Sequence, residues 1–126
     1  MGANVADFSV IHLGSFTVDV DGLDSVRMNF QFRDGLLRDL DGIVMFMIRR
    51  SDDLRLRVDI NNEVVLEEAI VDGNFERLFQ KVFPMKAIRL SGVLGGVGGQ
   101  QVATFTATSG RGTFSDVVVW YRRNSE

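Results

Sequence analysis

Leu54-Arg55-Leu56-Arg57-Val58-Asp59-Ile60-Asn61-Asn62-Glu63-Val64-Val65 is the stretch that decides the class of this chain. Leu54, Leu56, Val58 and Ile60 fall on one parity while Arg55, Arg57 and Asp59 fall on the other. That period of two belongs to a strand with one buried and one wet face. Asn61-Asn62 follows at once, and asparagine tolerates positive φ better than other non-glycine residues, so the pair predicts a tight hairpin into a strand from Val64 to Ile70.

Upstream, Ser51-Asp52-Asp53 reads as a turn, and before it Ile43 to Ile48 is apolar on both parities, unlike a strand with one solvated face. Residues 34 to 42, with Asp34-Gly35 and Asp41-Gly42 at the ends, read as a loop with a helical turn at most. Phe16, Val18 and Val20 alternate with Thr17 and Asp19, and Val26, Met28, Phe30 and Phe32 alternate with Arg27, Asn29 and Gln31. The turn formers between them, Asp21-Gly22-Leu23-Asp24-Ser25, predict that these two strands pair as an antiparallel hairpin. A shorter strand from Phe8 to Leu13 precedes them.

Downstream, Asp72-Gly73-Asn74 breaks the chain and the period changes. Phe75, Leu78, Phe79, Val82 and Phe83 fall at i, i+3, i+4, i+7 and i+8, which predicts a short helix capped near Asn74 or Asp72 and stopped at Pro84. Read as a strand, the same residues split, with Phe75, Phe79 and Phe83 opposed to Leu78 and Val82. The helix serves as a candidate lid over one apolar sheet face or one open end. Ala87 to Val93 returns to strand, the glycine run from Gly95 to Gly99 reads as a loop, and Gln101 to Thr108 alternates again. Ser109-Gly110-Arg111-Gly112 then turns into a last strand, Thr113 to Arg122, whose end Val117 to Tyr121 is apolar on both parities.

About nine strands with frequent turn signals and one short helix near 75–83 describe a mainly β chain, an antiparallel β-sandwich of jelly-roll type. The run from Leu54 to Val65, then Phe75 to Pro84, Ile88-Arg89-Leu90 and the closing Ser115-Asp-Val-Val-Val-Trp-Tyr121 resembles a galactose-binding-domain-like jelly roll over residues 54–121. The Gly-Glu-Asn turn usual in that family is replaced here by the glycine run, and no diagnostic ligand residue carries over. The resemblance implies a non-enzymatic binding module, with a sugar as the family's commonest ligand.

Composition narrows the functions. The chain has 126 residues, 45% hydrophobic and 25% charged, which fits one domain over 1–126. Zero cysteines remove disulfides, thiol nucleophiles and Cys-ligated zinc together. A net charge of −3 argues against nucleic-acid binding, although Arg49, Arg50, Arg55 and Arg57 can form a local basic patch. Mean hydropathy of +0.08 and no apolar run near 18 residues argue against a membrane span. The N-terminus shows no basic region followed by an apolar stretch, so a cytoplasmic place is the default expectation and an extracellular or virion-surface place the alternative.

Candidate chemistry is sparse. Asp19, Asp21 and Asp24 place three carboxylates around a turn and could hold calcium, with a solvated turn as the plainer reading. The single His12 lacks a nucleophile elbow, and adjacent Glu67 and Glu68 point apart on a strand. Trp120 and Tyr121 also point to opposite faces, so one is presented outward. With Asp116 and Arg122 nearby, that ring could stack a sugar while the polar groups take its hydroxyls. Trp120, Tyr121, Asp116 and Arg122 are the candidate ligand residues. The outward parities of the two-faced strands, at Met45, Met47 and Val118, make a candidate homo-oligomer interface. Two readings follow: a lectin-like carbohydrate-binding module, or a self-assembling subunit of capsid, tail or scaffold type.

Overall fold

A computed structural model describes residues 4–90 and 99–124. The strands are β1 (Asn4–His12), β2 (Phe16–Asp19), β3 (Ser25–Phe30), β4 (Asp41–Ile60), β5 (Glu63–Ala69), β6 (Arg77–Pro84) and β7 (Gln101–Asn124). A single 3-10 turn spans Met85–Ala87. All the strand pairs are antiparallel.

Two long strands organise the sandwich. β4 and β7 pair with each other from Ile43↔Trp120 to Ile60↔Ala103, and both bend at the same point. The register slips between Asp52 and Arg55, where Asp53 has φ 49° and Gly110, on β7, has φ 64°. A Cβ at Gly110 would sit 2.2 Å from the Asp52 carbonyl oxygen, so only glycine lets the two backbones touch there. Beyond the bend each strand enters the other layer. The first half of β4 and the last half of β7 lie in a layer ordered β6-β4-β7-β1; their other halves lie in a layer ordered β5-β4-β7-β3, and β2 pairs with β7 at the corner.

The layers close over an aromatic core. Phe46 of the first layer meets Phe105 of the second edge-on at 5.0 Å, and Phe114 completes the cluster with both. All three are fully buried. On the open side, Lys81 of β6 and Glu68 of β5 form an ion pair at 3.0 Å.

The architecture is the antiparallel β-sandwich expected, but several of its elements differ. Residues 77–84 are not a helix. They form edge strand β6, in register with β4 from Asp41↔Pro84 to Ile48↔Arg77. The stripe at i, i+3, i+4, i+7 and i+8 arises because both faces of this strand are apolar: Phe79 packs inward with Phe83, whereas Leu78 and Val82 stay exposed. These residues are therefore part of the sheet and not a lid over it. β2 and β3 do not pair with each other; both pair with β7. Of the strand expected over 87–93, residues 87–90 form none and 91–93 lie outside the described residues; Ile88 instead sinks into the core after the 3-10 turn. The expected turns at 51–53 and 109–112 are the shared bend, which makes two expected strand pairs into two continuous strands. Most of the glycine run lies outside the described residues.

Candidate functional site

The outward face of the β6-β4-β7-β1 layer is where the two-faced strands show their second parity. Val44, Phe46 and Ile48 fill the core, leaving Ile43, Met45 and Met47 half-buried on the outside. On β7, Val117, Val119 and Tyr121 are buried, while Val118 is half-buried and Trp120 is 36% exposed. Phe8 and Val10 of β1 stand beside Trp120 and Val118 in register, and Leu78 and Val82 of β6 stand beside Met47 and Ile43. The result is an apolar surface across four strands, interrupted on β6 by Gln80 opposite Met45.

Trp120 anchors a hollow in this surface. Its walls are Phe8, Met45, Leu78, Asp116, Val118 and Trp120, and its volume is about 240 Å³. That is below the roughly 300–1,000 Å³ of pockets for drug-sized ligands, as suits a shallow platform. Phe8 leans on the indole at 5.0 Å and the indole Nε1 donates to Met45 Sδ at 2.9 Å, fixing the ring.

A β-bulge supplies the polar end. Met45 pairs with Val118 but Met47 pairs with Ser115, so β7 carries one extra residue, and Asp116 takes φ 55° there. Asp116 is thereby turned outward between buried Ser115 and buried Val117. The Ser115 hydroxyl donates to Asp116 Oδ2 at 3.0 Å, Arg49 Nε donates to Ser115 Oγ at 2.8 Å, and Arg49 also pairs with Glu76. Arg49 lies 3.8 Å from the same Asp116 oxygen. A carboxylate thus lines the same hollow as the exposed indole, and a guanidinium stands 3.8 Å from that carboxylate.

The structure brings together Trp120, Asp116, Met45, Met47 and Val118. It turns one of the expected ligand residues away from this face. Tyr121 is buried at 2% exposure against Phe32, and its hydroxyl accepts the Arg33 backbone N–H at 3.0 Å, so it serves the core and reaches no ligand on this face. Arg122 is exposed on the same face of β7 as Trp120, outside the walls of the hollow, and contacts Asn4. Sequence reasoning missed Phe8, Leu78, Arg49 and Ser115. Leu78 was hidden by the helical spacing, and the Arg49–Ser115–Asp116 link depends on the bulge, which leaves no local pattern.

The acidic turn offers no ligand set: among the described residues no three His, Asp or Glu side chains converge as metal ligands. Asp19 Oδ1 accepts the Asp21 N–H at 2.9 Å, and the Asp19 side chain lines a hollow with Arg50 and Arg111, two cations that oppose a third. His12 packs edge-on against Phe16 at 5.3 Å. Glu67 is exposed, whereas Glu68 pairs with Lys81. A larger open groove of about 640 Å³ runs along β1, its walls tied by the Ser9 hydroxyl donating to the Gln31 carbonyl. One carboxyl is clearly perturbed: the Arg123 side chain, bonded to Asp7, holds its carboxyl below the usual aspartate range, helped by the Phe8 N–H and Arg33 against burial. No described helix is long and apolar enough to cross a membrane.

No protein-family model matches the sequence, and no curated protein matches it either. Solved structures do. BpGH86A, a beta-porphyranase of glycoside hydrolase family 86 from the human gut bacterium Bacteroides plebeius, shares 12% identity over 99% of this chain and 22% of that one, with a TM-score of 0.66. BuGH86 in complex with neoagarooctaose shares 9% identity over 98% of this chain and 20% of that one, with a TM-score of 0.58. Dimeric latent PorU from Porphyromonas gingivalis shares 9% identity over 96% of this chain and 13% of that one, with a TM-score of 0.55. The chain therefore spans about a fifth or less of these proteins, and what it shares with them is the β-sandwich fold.

Proposed function

We propose that this domain is a non-enzymatic, lectin-like carbohydrate-binding module, with Trp120 as the stacking surface and Asp116 and Arg49 as the polar partners. The observation that carries the reading is the open indole set beside a carboxylate fixed by Ser115. A pyranose has an apolar C–H face that packs on an aromatic ring and hydroxyls that need an acceptor and a donor; Asp116 in the hollow supplies the acceptor and Arg49, 3.8 Å from it, the donor. The fold's presence in a beta-porphyranase and in a protein crystallised with neoagarooctaose supports the reading. A glycan array followed by calorimetry tests it. Trp120→Ala should weaken the best ligand at least tenfold, about 1.4 kcal/mol, and Asp116→Asn by less. Absence of any glycan hit at millimolar ligand overturns it.

A second reading is favoured by the extent of the apolar face, which continues past the hollow to Val10, Ile43, Met47 and Val82. A surface of this kind also suits a second copy of the chain. Light scattering across micromolar concentrations decides: association that Met47→Glu abolishes supports it, and a monomer throughout removes it.

A further inference from the structure

We propose that the opposite outward face, on the β5-β4-β7-β3 layer, recognises an anionic group, a sulfate ester or a carboxylate, carried by a saccharide. The saccharide part of this proposal rests on the function proposed above. The anion part stands on the distribution of cations. Of the 14 Lys and Arg residues, all but five have an ion-pair or hydrogen-bond partner among the described residues. The five are Lys86 and the arginines 27, 55, 57 and 89, and these four arginines share one side of the molecule.

Registration explains why they gather. Arg55 and Arg57 alternate outward on β4, opposite buried Leu54, Leu56 and Val58. Arg27 of β3 pairs with Thr104 of β7, which pairs with Asp59 of β4. Two interstrand steps of about 4.8 Å set Arg27 roughly 10 Å from the β4 row. The carboxylates on this face, Asp59 and Glu67, form no ion pair with these arginines among the described residues, although Glu67 pairs in register with Arg57. Arg57 Nε is moreover buried without a hydrogen-bond partner among the described residues. In a chain of net charge −3, four guanidiniums left unneutralised on one face are a local excess that an oxyanion would relieve.

The hollow at the end of this face gives the anion a place. It measures about 280 Å³, and Arg27, Arg89, Asn62 and Thr104 supply its polar walls. Asn61 is its fixed corner: at φ 51° it donates to the Arg89 carbonyl at 2.9 Å and accepts the Val102 N–H at 2.9 Å, tying the Arg89 backbone to β7. Two guanidinium forks with a hydroxyl between them suit a tetrahedral sulfate or a planar carboxylate. No lining residue is aromatic, so a nucleobase would find no stacking partner.

The test is calorimetry of the full chain with a sulfated galactan, the same polymer after chemical desulfation, a polyuronate and a single-stranded oligonucleotide. The sulfated galactan or the polyuronate should bind at least tenfold tighter than the desulfated polymer, weaken with added salt, and lose that advantage in Arg27→Gln/Arg89→Gln. The arm that responds identifies sulfate or carboxylate. Arg89→Glu, at an exposed position, gives the same comparison should the double variant be misfolded by circular dichroism. Equal affinity for sulfated and desulfated polymer overturns the proposal, as does a charge preference that survives these substitutions or an oligonucleotide bound as tightly as the charged glycans. Those results leave Trp120-dependent binding of neutral glycans standing; failure of every glycan to bind overturns both readings.

Discussion

Asp7 shows how one side chain ties the first strand to the last. Its carboxylate accepts from Arg123 Nε at 2.6 Å and lies 3.7 Å from Arg33, with only 12% of the side chain exposed. The fold therefore favours the charged form and lowers the folded-state pKa beneath the unfolded one. Stability from this group is complete above the ordinary carboxyl value of about 3.9 and is lost as pH falls through the lower folded value. Asp7→Asn should accordingly lower the melting temperature at pH 7, with the gap to the parent closing as pH drops below about 3.9. Melting curves from pH 7 to pH 2.5 check this, and a gap that stays constant would mean the carboxylate charge is not the source.

At the scale of elements, β6 separates two explanations of the same residues. A helical stripe would make Phe75, Leu78, Phe79, Val82 and Phe83 comparable contributors, whereas the strand buries one parity only. Phe83 is 2% exposed and Phe79 stacks on Phe46 at 5.3 Å, while Phe75, Leu78 and Val82 are each more than half exposed. Phe83→Ala should therefore cost about 3–5 kcal/mol, and Phe79→Ala somewhat less, whereas Leu78→Ser and Val82→Ser should change stability by under about 0.5 kcal/mol. Urea titrations measure all four. The same strand marks the limit of what the chain discloses locally. Leu54 to Ile60 was legible because one parity is charged, and the Trp120/Tyr121 opposition because adjacency on a strand dictates it. β6 was not, since two apolar parities reproduce helical spacing over so short a window. Pairing was also illegible: β2 and β3 flank a good turn, yet each lies along β7, a contact about 70 to 100 residues away in sequence that no local pattern announces. Gly42 misled similarly. It reads as a turn residue after Asp41, but it lies within β4, where a Cβ would come within 2.6 Å of the Phe83 ring.

At the scale of the molecule, the decisive fact is that neither layer owns its central strands. β4 and β7 run through both, so neither layer can lose its central pair while the other keeps its own whole, and unfolding should be a single cooperative event. Trp120 on the first layer reports locally, and far-UV circular dichroism reports on both layers together; their urea transitions should coincide. Gly110→Ala probes the shared bend itself, because the added Cβ meets the Asp52 and Asp53 carbonyl oxygens at 2.2 and 2.3 Å in a backbone conformation that disfavours side chains. A cost of about 3 kcal/mol is expected, and it should move both transitions by the same amount. Were the layers independent, the substitution would split the transitions, with indole fluorescence and the dichroism signal departing at different urea concentrations. Coincidence in both proteins also bears on the binding faces. The apolar face around Trp120 and the cationic face around Arg27 sit on opposite layers of one cooperative unit, so a ligand on either face stabilises the whole sandwich by mass action. A melting-temperature rise with a neutral glycan should therefore appear equally in the fluorescence and dichroism traces, and should be lost in Trp120→Ala when read by dichroism.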